Sequence, residues 1–236
     1  MLLKLLNGNF NSPKDLIQAI IVQLIALILA FAIHEFFHAW VAYALGDTTP
    51  KRAGRVTLNP LAHIDPIGTV CLLLCGFGWG KPVPYNPSNL KRLKYRRLMS
   101  IMVVLAGVVG NFLLGIFISA IYGLMIGLGF VSNPVCLMLE DIFVDTLLYC
   151  AVLFAFNLIP IPPLDGFNFI QELLPYNFKY SERWRTIVRY ASQAFFVIIL
   201  FGALTDIHLL NGIIDAVATP IIHVFNKVIF GVARLL

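Results

Sequence analysis

The feature that most constrains this chain is a long apolar run, residues 14 to 45, that carries ionisable side chains in its second half. Within it, the stretch AFAIHEFFHAWVAYAL (residues 30 to 45) places His34, Glu35 and His38 among apolar residues. A hydrocarbon core about 30 Å thick is spanned by roughly 20 helical residues, so the run is long enough to cross a membrane. Ionisable groups in hydrocarbon are costly and are usually kept for function. The run therefore predicts a transmembrane helix that carries a functional site.

The composition of the whole chain indicates the same class of protein. Of the 236 residues, 59% are hydrophobic and 12% are charged, whereas soluble domains are about 25% charged. We predict an all-α polytopic membrane protein with about five to six transmembrane helices, forming a single domain over residues 1–236. The core that carries the ionisable cluster is expected at about residues 14–175 and the C-terminal helices at about 180–236. The first run is too long for a signal-peptide core, so we expect it to be retained.

The segment that follows the first run has a different character. Residues 46 to 68 are rich in Gly, Pro, Asn and Asp, and the alternating GRVTL predicts an edge strand over residues 53 to 59. The next apolar piece, residues 67 to 80, is too short to span a bilayer. We therefore predict a small membrane-embedded re-entrant and β segment between the first and second core helices. Such backbone is tolerated at membrane depth where protein or water satisfies its amides.

Three groups of basic residues flank the apolar runs and predict the orientation of the chain. They fall on one side of the membrane only if residues 66 to 80 do not cross it. Cytosolic loops carry the excess of Lys and Arg, so we expect the basic side to face the cytosol, with the N-terminus outside. The net charge of +5 is modest and its placement indicates topology, not nucleic-acid binding. The three groups are Lys51, Arg52 and Arg55; Lys91, Arg92, Lys94, Arg96 and Arg97; and Lys179, Arg183, Arg185 and Arg189.

The motif HEFFH has the spacing of a zinc hydrolase site. Histidines at i and i+4 project from one helix face about 6 Å apart, so both imidazoles of His34 and His38 reach one ion. Glu35 adjoins the first ligand and is placed to take a proton from metal-bound water. The alternative is a polar patch that binds a neighbouring helix. We favour the metal site because polar groups in mid-membrane need compensation.

A catalytic zinc site needs a third protein ligand from another element. We favour Asp165, because the run that precedes it breaks at IPIPPLDG and the prolines force non-helical backbone. Unwound backbone at membrane depth is tolerated chiefly around a cavity or site. An ordinary LDG turn is the alternative. The other candidates are His63, Asp65, Glu140, Asp141, Asp145, His208 and His223.

These motifs together resemble the site-2 proteases, which are zinc intramembrane metalloproteases. The resemblance is carried by HEFFH on one predicted helix and FNLIPIPPLDG at the end of a later one. GRVTLNPLAHIDPIGT and GWGKPVPYNP are similar to the segments that small prokaryotic members place between those helices. The matches span about residues 30 to 170. No stretch resembles a PDZ or CBS regulatory domain.

The resemblance implies a role for each matching residue. His34, His38 and Asp165 would bind one Zn²⁺ ion, and Glu35 would be the general base. Asn157 matches a family asparagine that holds the substrate backbone or the developing oxyanion; a helix-to-helix hydrogen bond is the alternative. The implied activity is endopeptidase cleavage of transmembrane segments in regulated intramembrane proteolysis. The implied substrates are membrane proteins already trimmed by another protease, in a prokaryotic cell membrane.

A further part of the resemblance lies in AGVVGN (106 to 111), where many members have A-G-P-x-x-N and Val108 replaces the proline. We expect Gly107 and its neighbouring glycines to serve close helix packing. Asn111 either supports a metal ligand or makes a packing hydrogen bond, and we favour packing. His63 and Asp65 either line the site or order the irregular segment.

Two other functions compete with the protease. A transporter or metal carrier would use the same four ionisable residues for ion passage, and broken mid-membrane helices are a transporter feature. However, no inverted repeat is evident and the H-E-x-x-H motif does not recur. An inactive binding protein of the same fold predicts a missing ligand or base, yet all four positions are filled.

Overall fold

The computed structural model describes residues 12–75, 78–91, 93–130, 134–205 and 210–236, which are predominantly α-helical. Short 3-10 turns occupy Pro60–Ala62, Pro87–Asn89 and Leu93–Tyr95. Within these ranges the helices are α1 (Pro13–Ala44), α2 (Thr49–Arg52), α3 (Pro66–Cys75), α4 (Arg96–Gly127), α5 (Pro134–Asn157), α6 (Asp165–Leu173), α7 (Tyr176–Lys179), α8 (Glu182–Thr205) and α9 (Asn211–Ala233).

Helix α1 begins with a side-chain cap and runs well beyond the thickness of a bilayer. The backbone N–H of Asp15 donates to Ser12 Oγ, and Pro13 occupies the first turn, where no N–H is needed. The helix has 32 residues, which corresponds to a length of about 48 Å. It ends before Gly46, whose φ of +112° turns the chain. The predicted first helix is thus a single uninterrupted element.

Helices α1, α4, α5 and α9 pack together around one apolar core. Small side chains such as Ala30, Ala151 and Ala155 are almost completely buried there, which lets the helix backbones approach closely. Phe225 of α9 packs directly against Gly115 of α4. The buried cluster comprises Ala30, Ile118, Tyr122, Leu147, Cys150, Ala151, Ala155, Ala218, Phe225 and Ile229.

Four of the described helices, α1, α4, α8 and α9, are long and apolar enough to cross a membrane. Helix α5 has 24 residues and packs in the same core. It differs from those four because Glu140, Asp141 and Asp145 lie in its N-terminal half. The all-α polytopic membrane fold is confirmed, whereas the number of spans, five to six, stays a prediction.

The connection after α1 contains no strand over residues 53 to 59, so that part of the prediction is wrong. The chain turns back on itself there: the N–H of Arg55 donates to Pro50 O, and the N–H of Thr57 donates to Arg55 O. Local turns and side chains therefore take the backbone groups that a strand would offer to a partner. One isolated antiparallel bridge, between Ile64 and Gly80, is the extent of strand pairing in the described residues.

Helix α3 has 10 residues, which gives a length of about 15 Å. This is about half of the hydrocarbon thickness, so α3 by itself is too short to cross a membrane. Asp65 precedes the helix, and its Oδ1 accepts a hydrogen bond from the N–H of Gly68. The expectation that this segment does not span is therefore supported by the length of the helix.

Two contacts place three chain segments at the same end of the bundle. The N–H of Lys91 donates to Leu45 O at the end of α1, just before α4 begins. Arg97 of α4 donates through Nη2 to the carbonyls of Leu173 and Leu174, at the end of α6. The basic residues that follow α1, precede α4 and follow α6 thus lie together at what we call the basic end. Arg92 lies outside the described residues.

A buried carboxylate, Asp47, organises the basic end. Its Oδ1 accepts from the N–H and hydroxyl of Thr49 and from Nδ2 of Asn89, and its Oδ2 accepts from the N–H of Asn86. Burial alone would raise the pKa of Asp47, but these hydrogen bonds outweigh it and hold the pKa below its ordinary value. Asp47 therefore ties the turn after α1 to the loop that precedes α4.

Candidate metal centre

His34 and His38 lie one turn apart on α1 and face the same side of the helix. Their ring centroids are 4.7 Å apart and the rings are nearly perpendicular. The two Nε2 atoms are 3.1 Å from each other. His34 is 5% exposed, so its imidazole is shielded from solvent and lipid. The i, i+4 spacing thus brings two nitrogen atoms to one point, as the sequence predicts.

Asp165 reaches the same point from the first turn of α6. Helix α5 ends at Asn157, and a turn over residues 158 to 164 leads directly into α6. Asp165 Oδ2 lies 3.3 Å from His34 Nε2 and 3.2 Å from His38 Nε2. In the described parts of the chain, this trio is the one group of three His, Cys, Asp or Glu residues spaced to hold a metal ion.

Gly166 explains why a glycine follows the aspartate. A Cβ at this position would lie 2.2 Å from the carbonyl oxygen of Leu158. Any side chain here would therefore push α6 away from the end of α5. The glycine of LDG permits the close approach that carries the Asp165 carboxylate to the histidines.

The spacing of the three atoms fits a tetrahedral zinc site. Zinc binds His nitrogen at about 2.0–2.1 Å and carboxylate oxygen at about 2.0–2.2 Å, so neighbouring ligand atoms lie about 3.3–3.5 Å apart. The observed separations are 3.1, 3.2 and 3.3 Å. Asp165 Oδ2 is also buried, and its close polar neighbours among the described residues are the two imidazole Nε2 atoms, so its charge is available to a cation that all three bind.

Gly107 of α4 forms the wall of the site opposite the histidines. A Cβ built on Gly107 falls 2.3 Å from His38 Nε2 and 2.7 Å from His34 Nε2. These separations approach zinc–nitrogen bond lengths, so a side chain here would take the volume that a shared ion needs. The close packing predicted for Gly107 is therefore present, and the structure adds that the rings it packs against are those of His34 and His38. The spacing of four residues between Gly107 and Asn111 is the signal that both share a helix face.

Helix α4 also orients His38. The Nδ1 of His38 lies 2.7 Å from the backbone carbonyl oxygen of Val103. A carbonyl only accepts hydrogen bonds, so Nδ1 carries the proton and, in the neutral ring, the Nε2 lone pair points into the site. Sequence reasoning missed Val103, because a backbone carbonyl leaves no mark in the choice of side chain.

Asn111 contacts the other histidine. Its side chain is fully buried, and Nδ2 lies 3.3 Å from His34 Nδ1. The packing role that we favoured for Asn111 is therefore incomplete, because the amide touches a candidate metal ligand. The cause is the tight approach of α4 to α1, which the separate helix patterns do not reveal.

Two further candidates lie close to these residues in the chain. Glu35 is half-buried on α1, and within the described ranges its carboxylate forms no hydrogen bond or ion pair. Asn157 donates through Nδ2 to Leu153 O, one turn earlier on α5. The roles of Glu35 as base and Asn157 as a substrate contact stay predictions.

The other acidic and histidine candidates that the structure describes do not join the trio. His63 is fully buried and donates through Nε2 to Thr57 O, and Asp65 caps the start of α3, so both order the irregular segment. At the opposite end from Ala44, three α5 carboxylates and Asp15 line a groove of about 370 Å³. The three are Glu140, Asp141 and Asp145; His223 is exposed on α9, and His208 lies outside the described residues.

Comparison with curated proteins gives two relatives. This chain is 41% identical over 157 residues to "Putative zinc metalloprotease YwhC" of Bacillus subtilis (strain 168), a match that covers 64% of this chain and 68% of that protein. The chain belongs to the site-2 protease family of zinc metalloproteases. "Putative zinc metalloprotease Rip2" of Mycolicibacterium smegmatis is 26% identical over 170 residues, which cover 69% of this chain and 61% of that relative. No family profile matches the chain, and no solved structure matches it.

Proposed function

We propose that this site-2 protease family member is a zinc-dependent endopeptidase that cleaves transmembrane segments within the bilayer. The observation that carries the proposal is the convergence of His34, His38 and Asp165 inside a bundle of membrane-length helices. Family membership supports zinc and peptidase chemistry. The depth of the trio supports cleavage inside the membrane.

The depth follows from the position of the histidines along α1. His34 lies ten residues before Ala44, the last residue of α1 at the basic end. At 1.5 Å per residue, this places the site about 15 Å from that end, close to half the thickness of a hydrocarbon core. This position supports the proposal that a peptide bond reaching the trio would lie at membrane depth.

One zinc ion bound by His34, His38 and Asp165 would acidify a water molecule and polarise the scissile carbonyl. Glu35 would accept the proton of the attacking water and then donate it to the leaving nitrogen. Its half-buried carboxylate is adjacent to a ligand and unpaired among the described side chains, which suits both steps. Asn157 would exchange its bond to Leu153 O for one to the substrate carbonyl.

The proposed substrates are transmembrane segments of membrane proteins whose outer domains another protease has already removed. The peptide groups of an intact helix are hydrogen-bonded internally, so a substrate must unwind locally before it is cut. We also propose a multi-pass protein in a prokaryotic cell membrane, with the basic end in the cytosol. The clustering of three basic segments at one end of the bundle supports this orientation.

The decisive experiment compares native protein with Glu35→Gln. Each is co-expressed with a panel of tagged single-span membrane proteins, and product size is measured on gels. Native protein should release shortened products, and Glu35→Gln should keep its zinc while losing about 10²- to 10⁴-fold in cleavage rate, since a general base is removed. Glu182→Gln is the matched control, because Glu182 is exposed and pairs with Arg185.

The result also separates the protease from the transporter. Zinc-loaded Glu35→Gln that cleaves at the native rate would contradict the proposal. So would reconstituted native protein that moves ions across vesicles but yields no shortened product from any panel member.

A further inference from the structure

Helix α4 presents a stripe of three residues to the two histidines. Val103, Gly107 and Asn111 are spaced four residues apart and therefore share one helix face. Val103 O receives the His38 Nδ1–H, Gly107 leaves room for an ion, and the Asn111 amide reaches His34 Nδ1. Each imidazole of α1 thus has its own partner on α4, at the nitrogen that faces away from the metal site.

That outer nitrogen determines whether an imidazole can bind a metal. In a neutral ring one nitrogen carries the proton and the other carries the lone pair. Binding through Nε2 therefore requires the proton at Nδ1 and favours a hydrogen-bond acceptor there. His38 has such an acceptor in Val103 O. For His34, the group at Nδ1 in the described structure is the Asn111 amide.

An asparagine amide supports either form of the ring. With Nδ2 turned to His34, as in the structure, the amide donates to Nδ1 and leaves the proton on Nε2, which faces Asp165 Oδ2 at 3.3 Å. A half-turn of the amide presents Oδ1 instead, and Oδ1 has no hydrogen-bond partner among the described residues. Asn111 is fully buried, so water does not compete for this contact.

We propose that Asn111 is the positioning residue for His34: its Oδ1 accepts the Nδ1–H of His34 in the zinc form and keeps the Nε2 lone pair directed at the metal. The inference rests on the metal site of the proposed function, but it concerns metal binding and not cleavage. Asn111 and Val103 thereby do the same work for the two histidines. Only the asparagine can also support the metal-free arrangement.

The test measures metal affinity on the full-length chain in detergent. Cobalt(II) replaces zinc, because zinc has no d–d absorbance and the cobalt spectrum reports coordination directly. Asn111→Leu, which removes the acceptor but keeps the branching of the side chain, should bind Co²⁺ about 10- to 100-fold more weakly than native protein. Asn111→Asp, which always accepts, should stay within about threefold of the native affinity.

Ser119→Ala is the matched control. Ser119 is another buried polar residue of α4, two turns beyond Asn111, and its Oγ has no partner in the described chain. Its loss should leave the cobalt affinity and spectrum unchanged. A general loosening of α4 would weaken binding in the control as well. An Asn111→Leu variant with native cobalt affinity, or an Asn111→Asp variant as weak as Asn111→Leu, would overturn the proposal.

A second measurement needs no variant at position 111. Nitrogen-15 NMR of the zinc-loaded native protein, with His34→Gln to assign the signal, reports which nitrogen of His34 carries hydrogen. The proposal requires that Nδ1 of His34 carries the proton. An unprotonated Nδ1 would overturn it. Both measurements are made without substrate. A failure of the Glu35→Gln cleavage test therefore does not change their outcome, and the two proposals can fail independently.

Discussion

Asp47 and Asp165 are two carboxylates removed from water by the same fold, and their surroundings are opposite. Asp47 receives four hydrogen bonds, from Thr49, Asn86 and Asn89, and has no exposed surface. Every one of its partners is a donor that compensates the negative charge. Such a carboxylate is fully hydrogen-bonded, and its effect is to hold two chain segments together.

Asp165 has an oxygen whose close polar neighbours among the described residues are two imidazoles. Its Oδ2 lies within 3.3 Å of the Nε2 atoms of His34 and His38, with which it would share a metal ion. A buried anion is costly unless a cation or a proton compensates it. The contrast teaches that burial alone does not mark a functional acid. What marks Asp165 is its position beside two imidazoles that could bind the same ion.

The largest expected effect comes from removing the Asp165 carboxylate. Asp165→Ala should lower zinc affinity about 1,000-fold, because one of three protein ligands is lost and structural zinc sites hold about 10–16 kcal/mol in all. Competition with a fluorescent zinc chelator measures this. Asp47→Ala provides the comparison and should bind zinc like native protein. Equal zinc affinity in Asp165→Ala and native protein would remove the distinction between the two acids.

The next effect concerns the space that the Asp165 carboxylate shares with the histidines. Gly107→Ala should lower zinc affinity about 100-fold, since the added Cβ would lie 2.3 Å from His38 Nε2, close to a zinc–nitrogen bond length. The same chelator competition measures it. Gly231→Ala is the control. Gly231 lies on α9 of the same bundle, and a Cβ added there would meet no neighbouring atom within 4 Å. Equal zinc affinity in the two variants would show that Gly107 serves packing alone.

A smaller effect is expected at Asp47, the fully hydrogen-bonded carboxylate. Asp47→Ala should lower the free energy of unfolding by about 2 kcal/mol, because the N–H groups of Thr49 and Asn86 lose a charged acceptor. Unfolding in mixed detergent and sodium dodecyl sulfate, followed by far-ultraviolet circular dichroism, measures the change. A loss of zinc together with unchanged stability would reverse the roles that we assign to the two carboxylates.

The smallest effect is a pH dependence of the same network. Because the folded-state pKa of Asp47 is held below the ordinary value of 3.8, its contribution to stability is complete above about pH 4. That contribution is lost as the pH falls through the folded pKa. The free energy of unfolding of Asp47→Asn should therefore be lower than that of native protein at pH 6, and this difference should become smaller as the pH is lowered to 3. A difference that stays constant over this range would contradict the assignment.

The sequence alone was enough to predict the long helices and the three residues that converge in the candidate site. Runs of about 20 apolar residues have few alternatives to a membrane helix, and the i, i+4 histidines of α1 share a face in any α-helix. The break at IPIPPLDG likewise pointed to Asp165 as the third candidate ligand, because prolines end a helix locally. These features depend on short-range backbone geometry, which the local sequence controls.

The tertiary structure decided what depends on contacts between distant segments. The alternation in residues 53 to 59 is that of a strand, yet no partner strand pairs with it and its amides bond locally. Val103, Gly107 and Asn111 meet the histidines only because α4 packs closely on α1. Asp47 and Asp165 are both aspartates beside a turn in the sequence. The number of donors that the folded chain brings to each carboxylate is what makes them different.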